Sequence, residues 1–390
     1  MGTLYFFGVY MVDAASSNAR NDELEPRAAS QSAAQASWFR DAGRWIRRLI
    51  LGIRPEEWLL LVLWTFSAGL CLRAGLGFDF RVVFVRYLKY FASFGLLLVL
   101  SSRLLFAFAE SWHPRTALLK WVQRTVFGDR RNWVSMSAID LEFGRGLLLL
   151  FINLSVYSNI KVRIPALNPE IGDALFLAWD SAIIGNTFAP WLEQYTQNHE
   201  AFKSFLADTY NHGYVWMIVL LGVGYLRRDT AALRWIFGAT CLTYMTAILV
   251  TVGYPSMGPF FMEPERFSWV NESRVGGAQR FLRKVYAENL PSLQAGLPVK
   301  GRPFAGIAAF PSLHVGHMVV MGYISIRLVP LYALVMLVVT AVTFLATIAF
   351  GWHYAVDAIA GATIALLCSE LVYRFAKRDR SRSLGWPRGG

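Results

Sequence analysis

Charged residues are scarce in this sequence, and their scarcity excludes an ordinary soluble protein. Only 16% of the 390 residues are Asp, Glu, Lys or Arg, whereas 55% are hydrophobic. A typical soluble domain has about 25% charged residues, and so apolar a protein would need more surface charge to stay in solution. Aromatic residues reach 15%, which is typical of proteins with aromatic belts at the membrane interfaces. The chain is therefore predicted to lie in a membrane.

Cysteine is also rare, which excludes two further classes of protein. The three cysteines, Cys71, Cys241 and Cys368, each lie inside or beside an apolar run. An odd number of cysteines at such positions argues against a disulfide framework. No CxxC pair and no Cys/His spacing of a zinc finger occurs in the sequence.

Acidic residues are fewer than basic ones, 26 against 38, and the formal net charge is +12. A basic protein can bind nucleic acid, but here many Lys and Arg residues flank apolar runs, as they do beside membrane spans. No basic-aromatic module stands outside the apolar segments. We therefore expect no nucleic-acid partner, while the oligomeric state is left open.

The apolar runs predict an all-α fold, a polytopic membrane helix bundle. A span needs about 20 apolar residues, and the segment 174–191, which contains Asp180 and Pro190, is read instead as interfacial or re-entrant. About eight spans can be placed: 58–76, 88–108, 146–160, 205–226, 235–253, 312–326, 329–350 and 354–375.

The same pattern divides the chain into five regions. We predict a flexible tail at 1–37 and an amphipathic helix on the membrane surface at 38–56. Two accessory spans and a loop at 57–144 precede a six-span core at 145–375, which contains the two motifs described below. A basic tail occupies 376–390.

Lys and Arg residues also predict the orientation of the bundle. They concentrate in 40–54, in the 109–145 loop, in the 227–234 turn and in the C-terminal tail. With eight spans these four segments fall on one side, which the positive-inside rule makes cytoplasmic. Both termini are then cytoplasmic, and the 254–311 loop lies on the extracytoplasmic or lumenal face.

The first of two motifs that carry chemistry is GWHYAVDAIAG, at 351–361. His353 and Asp357 are four residues apart, so they share one face of a helix. A carboxylate there can accept the proton on one imidazole nitrogen, which leaves the other nitrogen as a nucleophile. The pair therefore predicts nucleophilic chemistry at the start of the eighth span.

The second motif is FPSLHVGH, at 310–317. Pro311 suits a helix start, so Ser312 and His314 fall in the first turn, where free N–H groups attract an anion. A histidine in that turn can protonate a leaving oxygen. Because the sixth and eighth spans both run inward, His314 and His353 are expected at the same membrane face.

Three other interpretations of these residues remain open. A lone histidine on an apolar helix is often only a packing residue. The four side chains His314, His317, His353 and Asp357 are of the types that bind zinc. Ionisable groups inside spans usually mark function, so a non-catalytic membrane transporter with a His/Asp relay is also possible.

PSLH followed about forty residues later by HYxxD resembles the second and third motifs of the type 2 phosphatidic acid phosphatase and vanadium haloperoxidase superfamily. The resemblance covers roughly 145–375. The PSLH form and the GYPSMGP segment at 253–259 are similar to the inositol phosphorylceramide synthase branch. The WDSAIIG segment around Asp180 is also similar to it, more faintly.

The resemblance implies that His353 is the nucleophile, that Asp357 orients it and that His314 is the general acid. The intermediate would be a phosphohistidine, and no metal or cofactor would be required. An integral-membrane phosphotransferase that moves an inositol-phosphate type of head group between lipids is implied. A lipid phosphate phosphatase on the same site is the alternative.

The sequence departs from the superfamily's first motif and from the start of its third. Arg302 and Pro303 are present, but Ala295 stands where the family has a lysine, and Thr347 stands where it often has an arginine. Fewer cations suit a phosphodiester better than a phosphomonoester, which favours the transferase. The predicted phosphate-binding residues are Lys300, Arg302 and Ser312.

Overall fold

The computed structural model describes most of one compact unit, Pro55–Gly390. The predicted tail at 1–37 and most of the predicted segments 38–56 and 88–108 lie outside the described residues. The described residues are 52–76, 100–101, 103–105, 116–127, 134–271, 273–295, 297, 306 and 308–383.

The described part of the chain is helical and contains no strand, so the all-α prediction is confirmed. A short 3₁₀ turn spans Ser268–Val270. The α-helices are α1 (Pro55–Arg73), α2 (Ala117–Phe127), α3 (Met136–Leu167), α4 (Asp173–Asn198), α5 (Glu200–Asn211), α6 (Gly213–Leu226), α7 (Thr230–Gly253), α8 (Pro259–Met262), α9 (Arg274–Gln294), α10 (Leu313–Leu328), α11 (Pro330–Ala349) and α12 (Ala355–Ser383).

Five of these helices, α1, α3, α7, α11 and α12, are long and apolar enough to cross a membrane. They correspond to five of the eight predicted spans. The helices α6 and α10, where two more spans were predicted, are apolar but shorter. The chain is therefore a multi-pass membrane protein.

The third span is longer than its hydropathy indicated, because α3 begins at Met136 rather than near Gly146. Two charged residues near the start of α3 have ionic partners on other segments. Arg145 forms an ion pair with Glu57 of α1, and Asp140 forms one with Arg103. Since these charges are paired, the helix continues through a stretch that a hydropathy window excludes.

Two other segments also differ from the sequence prediction. The fourth span, predicted at 205–226, is two helices that meet at His212, with φ −97° and ψ 15°. The segment 174–191 forms most of α4, whose helical geometry is interrupted at Gly185, with φ 74° and ψ 169°. Such a positive φ favours glycine, so the interruption lies at the residue that permits it.

Two glycines allow α10 and α12 to meet backbone to backbone. A Cβ atom on Gly316 would lie 2.9 Å from the carbonyl oxygen of Gly361, and a Cβ on Gly361 would lie 2.1 Å from the carbonyl oxygen of Ser312. Such distances leave no room for a methyl group. This contact brings the N-terminal ends of the two helices together, and with them both sequence motifs.

Replacing Gly361 with alanine is therefore expected to lower the free energy of unfolding by about 1–3 kcal/mol, the usual cost of overpacking. Gly144→Ala is the matched control, because among the described residues no atom beyond the neighbouring backbone of α3 lies within 4 Å of its Cβ position. Thermal unfolding of both variants in detergent measures the difference. Equal unfolding temperatures would contradict the close contact of α10 with α12.

Candidate active site

A cavity of about 380 Å³ contains both histidines that the motifs single out. Its walls come from α3, from the helices α5 to α10 and from the segments just before α10 and α12. The imidazole rings of His314 and His353 lie 5.8 Å apart between centroids. The structure thus brings together two residues that are far apart in the sequence and belong to different helices.

His353 is held by hydrogen bonding on one ring nitrogen. Its Nδ1 lies 2.7 Å from the carbonyl oxygen of Ala309 and 3.4 Å from Oδ2 of Asp357. A carbonyl oxygen only accepts hydrogen bonds, so Nδ1 carries the proton, and Nε2 of the neutral ring keeps its lone pair. This is the tautomer that a nucleophilic histidine needs. The nearer partner is the Ala309 carbonyl, which sequence reasoning did not indicate.

Asp357 is fully buried and connects the two motifs. Its Oδ2 accepts the N–H of Tyr354 at 3.0 Å, and its backbone carbonyl accepts the N–H of Ser312 at 2.8 Å. The carboxylate therefore lies close to His353, although His353 precedes the first residue of α12. The backbone carbonyl of Asp357 helps to fix the start of α12 against that of α10.

His314 is the second residue of α10, and Tyr210 of α5 packs on its ring. The two rings stack at 4.2 Å between centroids, and the Tyr210 hydroxyl lies 3.1 Å from Nδ1 of His314. The ring of Trp352 also stacks with that of Tyr210, with 5.7 Å between the two ring centroids. Tyr210 thus positions His314, leaving Nε2 for proton transfer.

Of the three predicted phosphate-binding residues, the structure describes only Ser312. Ser312 is the N-cap of α10, where its side chain accepts the N–H of Val315 at 3.5 Å. It is fully buried and does not line the cavity. Lys300 and Arg302 lie outside the described residues, and their contact with phosphate stays a prediction.

Lys161 is a site residue that sequence reasoning missed. It belongs to the C-terminal part of α3 and lines the cavity with the two histidines, its Nζ 5.8 Å from the centroid of the Tyr157 ring. Among the described residues that line the cavity, it is the one Lys or Arg side chain. The sequence signal that could have indicated Lys161 is its position, because it is a lysine directly after the apolar run 146–160.

Two carboxylates of α4 hold the segments around the cavity. Asp180 accepts the N–H groups of Ala355 and Val356 at 2.7 and 2.8 Å, so it caps the N-terminus of α12. Asp173 accepts the N–H groups of Met257 and Gly258, both at 2.9 Å. The WDSAIIG segment therefore has a positioning role beside His353.

The rival zinc site is not assembled in the structure. Among the described residues, no three His, Cys, Asp or Glu side chains are grouped in a way that could hold a metal ion. His317 lines the same cavity as His314 and His353, but it does not complete a ligand set with them.

A family model described as the PAP2 superfamily matches residues 175–371, which is about half of the chain. The matched range includes His314, His353 and Asp357, whereas Lys161 precedes it. Searches of curated proteins and of solved structures gave no significant match.

Proposed function

Since the chain belongs to the PAP2 superfamily, and is thus a multi-pass membrane enzyme of phosphatase or phosphotransferase type, we propose a specific reaction for it. It moves a phospho-head group of the inositol-phosphate type from one lipid to another through a phosphohistidine. The observation that carries the proposal is the meeting of His314 and His353 in one cavity, each fixed through Nδ1. The proposal includes a site on the extracytoplasmic or lumenal face, which the distribution of Lys and Arg supports.

The proposed first step is in-line attack by Nε2 of His353 on phosphorus. The bond from phosphorus to the oxygen of the departing lipid alcohol breaks, and that oxygen takes a proton from His314. The phosphorylated imidazole ring is cationic while it keeps the Nδ1 proton. The carbonyl of Ala309, at 2.7 Å, and the carboxylate of Asp357, at 3.4 Å, stabilise that charge.

In the second step an acceptor alcohol gives its proton to His314 and attacks phosphorus, and the bond from phosphorus to His353 breaks. His314 returns to its protonated form and His353 to its neutral form. The acceptor decides the outcome, because a lipid alcohol completes the transfer, whereas water releases the head-group phosphate. With a lipid phosphomonoester as donor, attack by water instead gives inorganic phosphate, which is the alternative reaction of a lipid phosphate phosphatase.

Lys161 is proposed to neutralise charge on the phosphoryl oxygens as the transition state forms. A phosphodiester carries one negative charge and a phosphomonoester carries up to two, so a single lysine suits the phosphodiester better. Lys300 and Arg302 remain proposed phosphate ligands from the loop that precedes Pro311.

Lys161→Met is expected to lower kcat/KM for the lipid substrate by at least about tenfold, since a charge-assisted contact is worth roughly 1.5–3 kcal/mol. Methionine keeps most of the side-chain volume and removes the charge. Lys284→Met is the matched control, because Lys284 lies on α9 with 72% of its side chain exposed. Equal kinetics for the two variants would remove Lys161 from the site.

The function itself is tested with purified protein in detergent or vesicles. Phosphatidylinositol labelled in the inositol ring is the donor, and ceramide is the long-chain acceptor. Label in a new phosphosphingolipid is expected. Label released only as water-soluble inositol phosphate would show hydrolysis in place of transfer, and no loss of donor would exclude both reactions for this lipid.

A further inference from the structure

His317 is a buried polar residue that the mechanism does not use. It follows His314 by three residues on α10, so it lies about one turn farther along the same helix, roughly 4.5 Å along the axis. The side chain is 3% exposed and lines the cavity. Neither of its ring nitrogens has a hydrogen-bond partner among the described residues. Buried polar groups normally have partners, so both nitrogens are available to a ligand in the cavity.

Tyrosines surround His317. The ring of Tyr214 lies 5.8 Å from that of His317, and the ring of Tyr244 lies 6.2 Å from it at nearly a right angle. Tyr157 packs against Tyr244 at 5.4 Å, and all three tyrosines line the cavity. Phenol and imidazole groups can both donate and accept hydrogen bonds without carrying a charge. They are therefore suited to the hydroxyl groups of a neutral ligand.

The charges of the cavity argue against a cationic ligand. Among the described residues that line it there is no Asp or Glu, and Lys161 lies over the ring of Tyr157. Aromatic rings can bind a quaternary ammonium group, but here a lysine already occupies one face of the tyrosine cluster. A choline or ethanolamine head group would meet this positive charge with no carboxylate to offset it.

We infer that His317, Tyr214 and Tyr244 form a subsite for a neutral polyol, namely the head group that stays bonded to phosphorus during transfer. The inference deepens the proposed function and rests on it. With phosphorus beside His314 and His353, the head group would extend one helical turn along α10. Its hydroxyl groups would then meet the unpartnered nitrogens of His317 and select polyol donors over ammonium donors.

The test compares His317→Phe and His317→Gln with the wild type on two substrates. Phosphatidylinositol has the polyol, whereas an activated aryl phosphate has none. His317→Phe is expected to lower kcat/KM for phosphatidylinositol at least about tenfold more than for the aryl phosphate, mainly through KM. His317→Gln retains hydrogen-bonding groups and should recover part of the loss. His199→Phe, at an exposed position outside the cavity, is the control and should leave kcat/KM unchanged for both substrates.

Equal losses on the two substrates would overturn the subsite, because they would mean that His317 only supports the fold or the catalytic histidines. Glycerophosphoinositol titrated into the protein separates this failure from failure of the proposed function. If His317→Phe weakens this binding, the result supports the subsite even if no lipid transfer occurs. If the variant binds the ligand as tightly as the wild type does, or if the wild type does not bind it, the subsite is overturned.

Discussion

His353→Ala is expected to abolish turnover of every phosphate ester, whatever its leaving group. Without the imidazole there is no nucleophile, so the covalent route closes. The substitution removes the ring that contacts the Ala309 carbonyl and Asp357, but it leaves the caps of α12 in place. The variant should therefore keep its fold. Single-turnover assays with labelled phosphatidylinositol and with an activated aryl phosphate measure the effect.

Asp357→Asn is the informative comparison for His353→Ala. Asparagine keeps the shape of the side chain and removes the charge that stabilises the cationic imidazole ring. Loss of the equivalent carboxylate in a serine-protease triad costs about 10⁴ in kcat, but there the aspartate is the main partner of the histidine. Here the Ala309 carbonyl still holds Nδ1 at 2.7 Å, so a measurable remnant of activity should survive. Full activity in His353→Ala would exclude this residue as the nucleophile.

His314→Ala is expected to have an effect that depends on the leaving group. A positioned general acid contributes roughly 10²–10⁴-fold to a rate, and the alkoxide of a lipid alcohol needs that proton. Turnover of the lipid donor should therefore fall by about this factor. An activated aryl phosphate needs no acid, so the decrease in its turnover should be much smaller.

The measurement is kcat/KM for a series of aryl phosphates with leaving groups of increasing basicity. The slope against leaving-group pKa should steepen in His314→Ala relative to the wild type. Tyr210→Phe, which removes the hydroxyl 3.1 Å from Nδ1 of His314, should change the slope in the same direction and by less. An equal loss for all leaving groups would assign His314 a role other than proton donation.

The pairing of the two motifs could be predicted from the sequence because it depends on local chemistry and on the direction of the spans. His353 lies just before α12 and Asp357 lies in its first turn, and Ser312 caps the helix that carries His314. Such features are encoded within a few residues. The all-α membrane fold follows from composition for the same reason, since each apolar run forms its helix independently of the others.

The partners that fix the histidines could not be predicted, because they come from distant segments without a motif. Lys161 and Tyr210 belong to helices that precede both motifs, and a single lysine or tyrosine in an apolar run does not reveal which cavity it faces. The Ala309 carbonyl is a backbone group, which no residue type indicates. The early start of α3 was hidden for a related reason, since Asp140 and Arg145 find their ionic partners on other segments.

Covalent trapping of the phosphorylated enzyme tests the central claim most directly. The protein is mixed with a donor labelled at phosphorus, quenched within the first turnover under alkaline denaturing conditions and digested, and the labelled peptide is identified by mass spectrometry. Label on His353 in the wild type and none in His353→Ala is the predicted result. Lipid turnover without any labelled protein, or label on another residue that persists in His353→Ala, would contradict it.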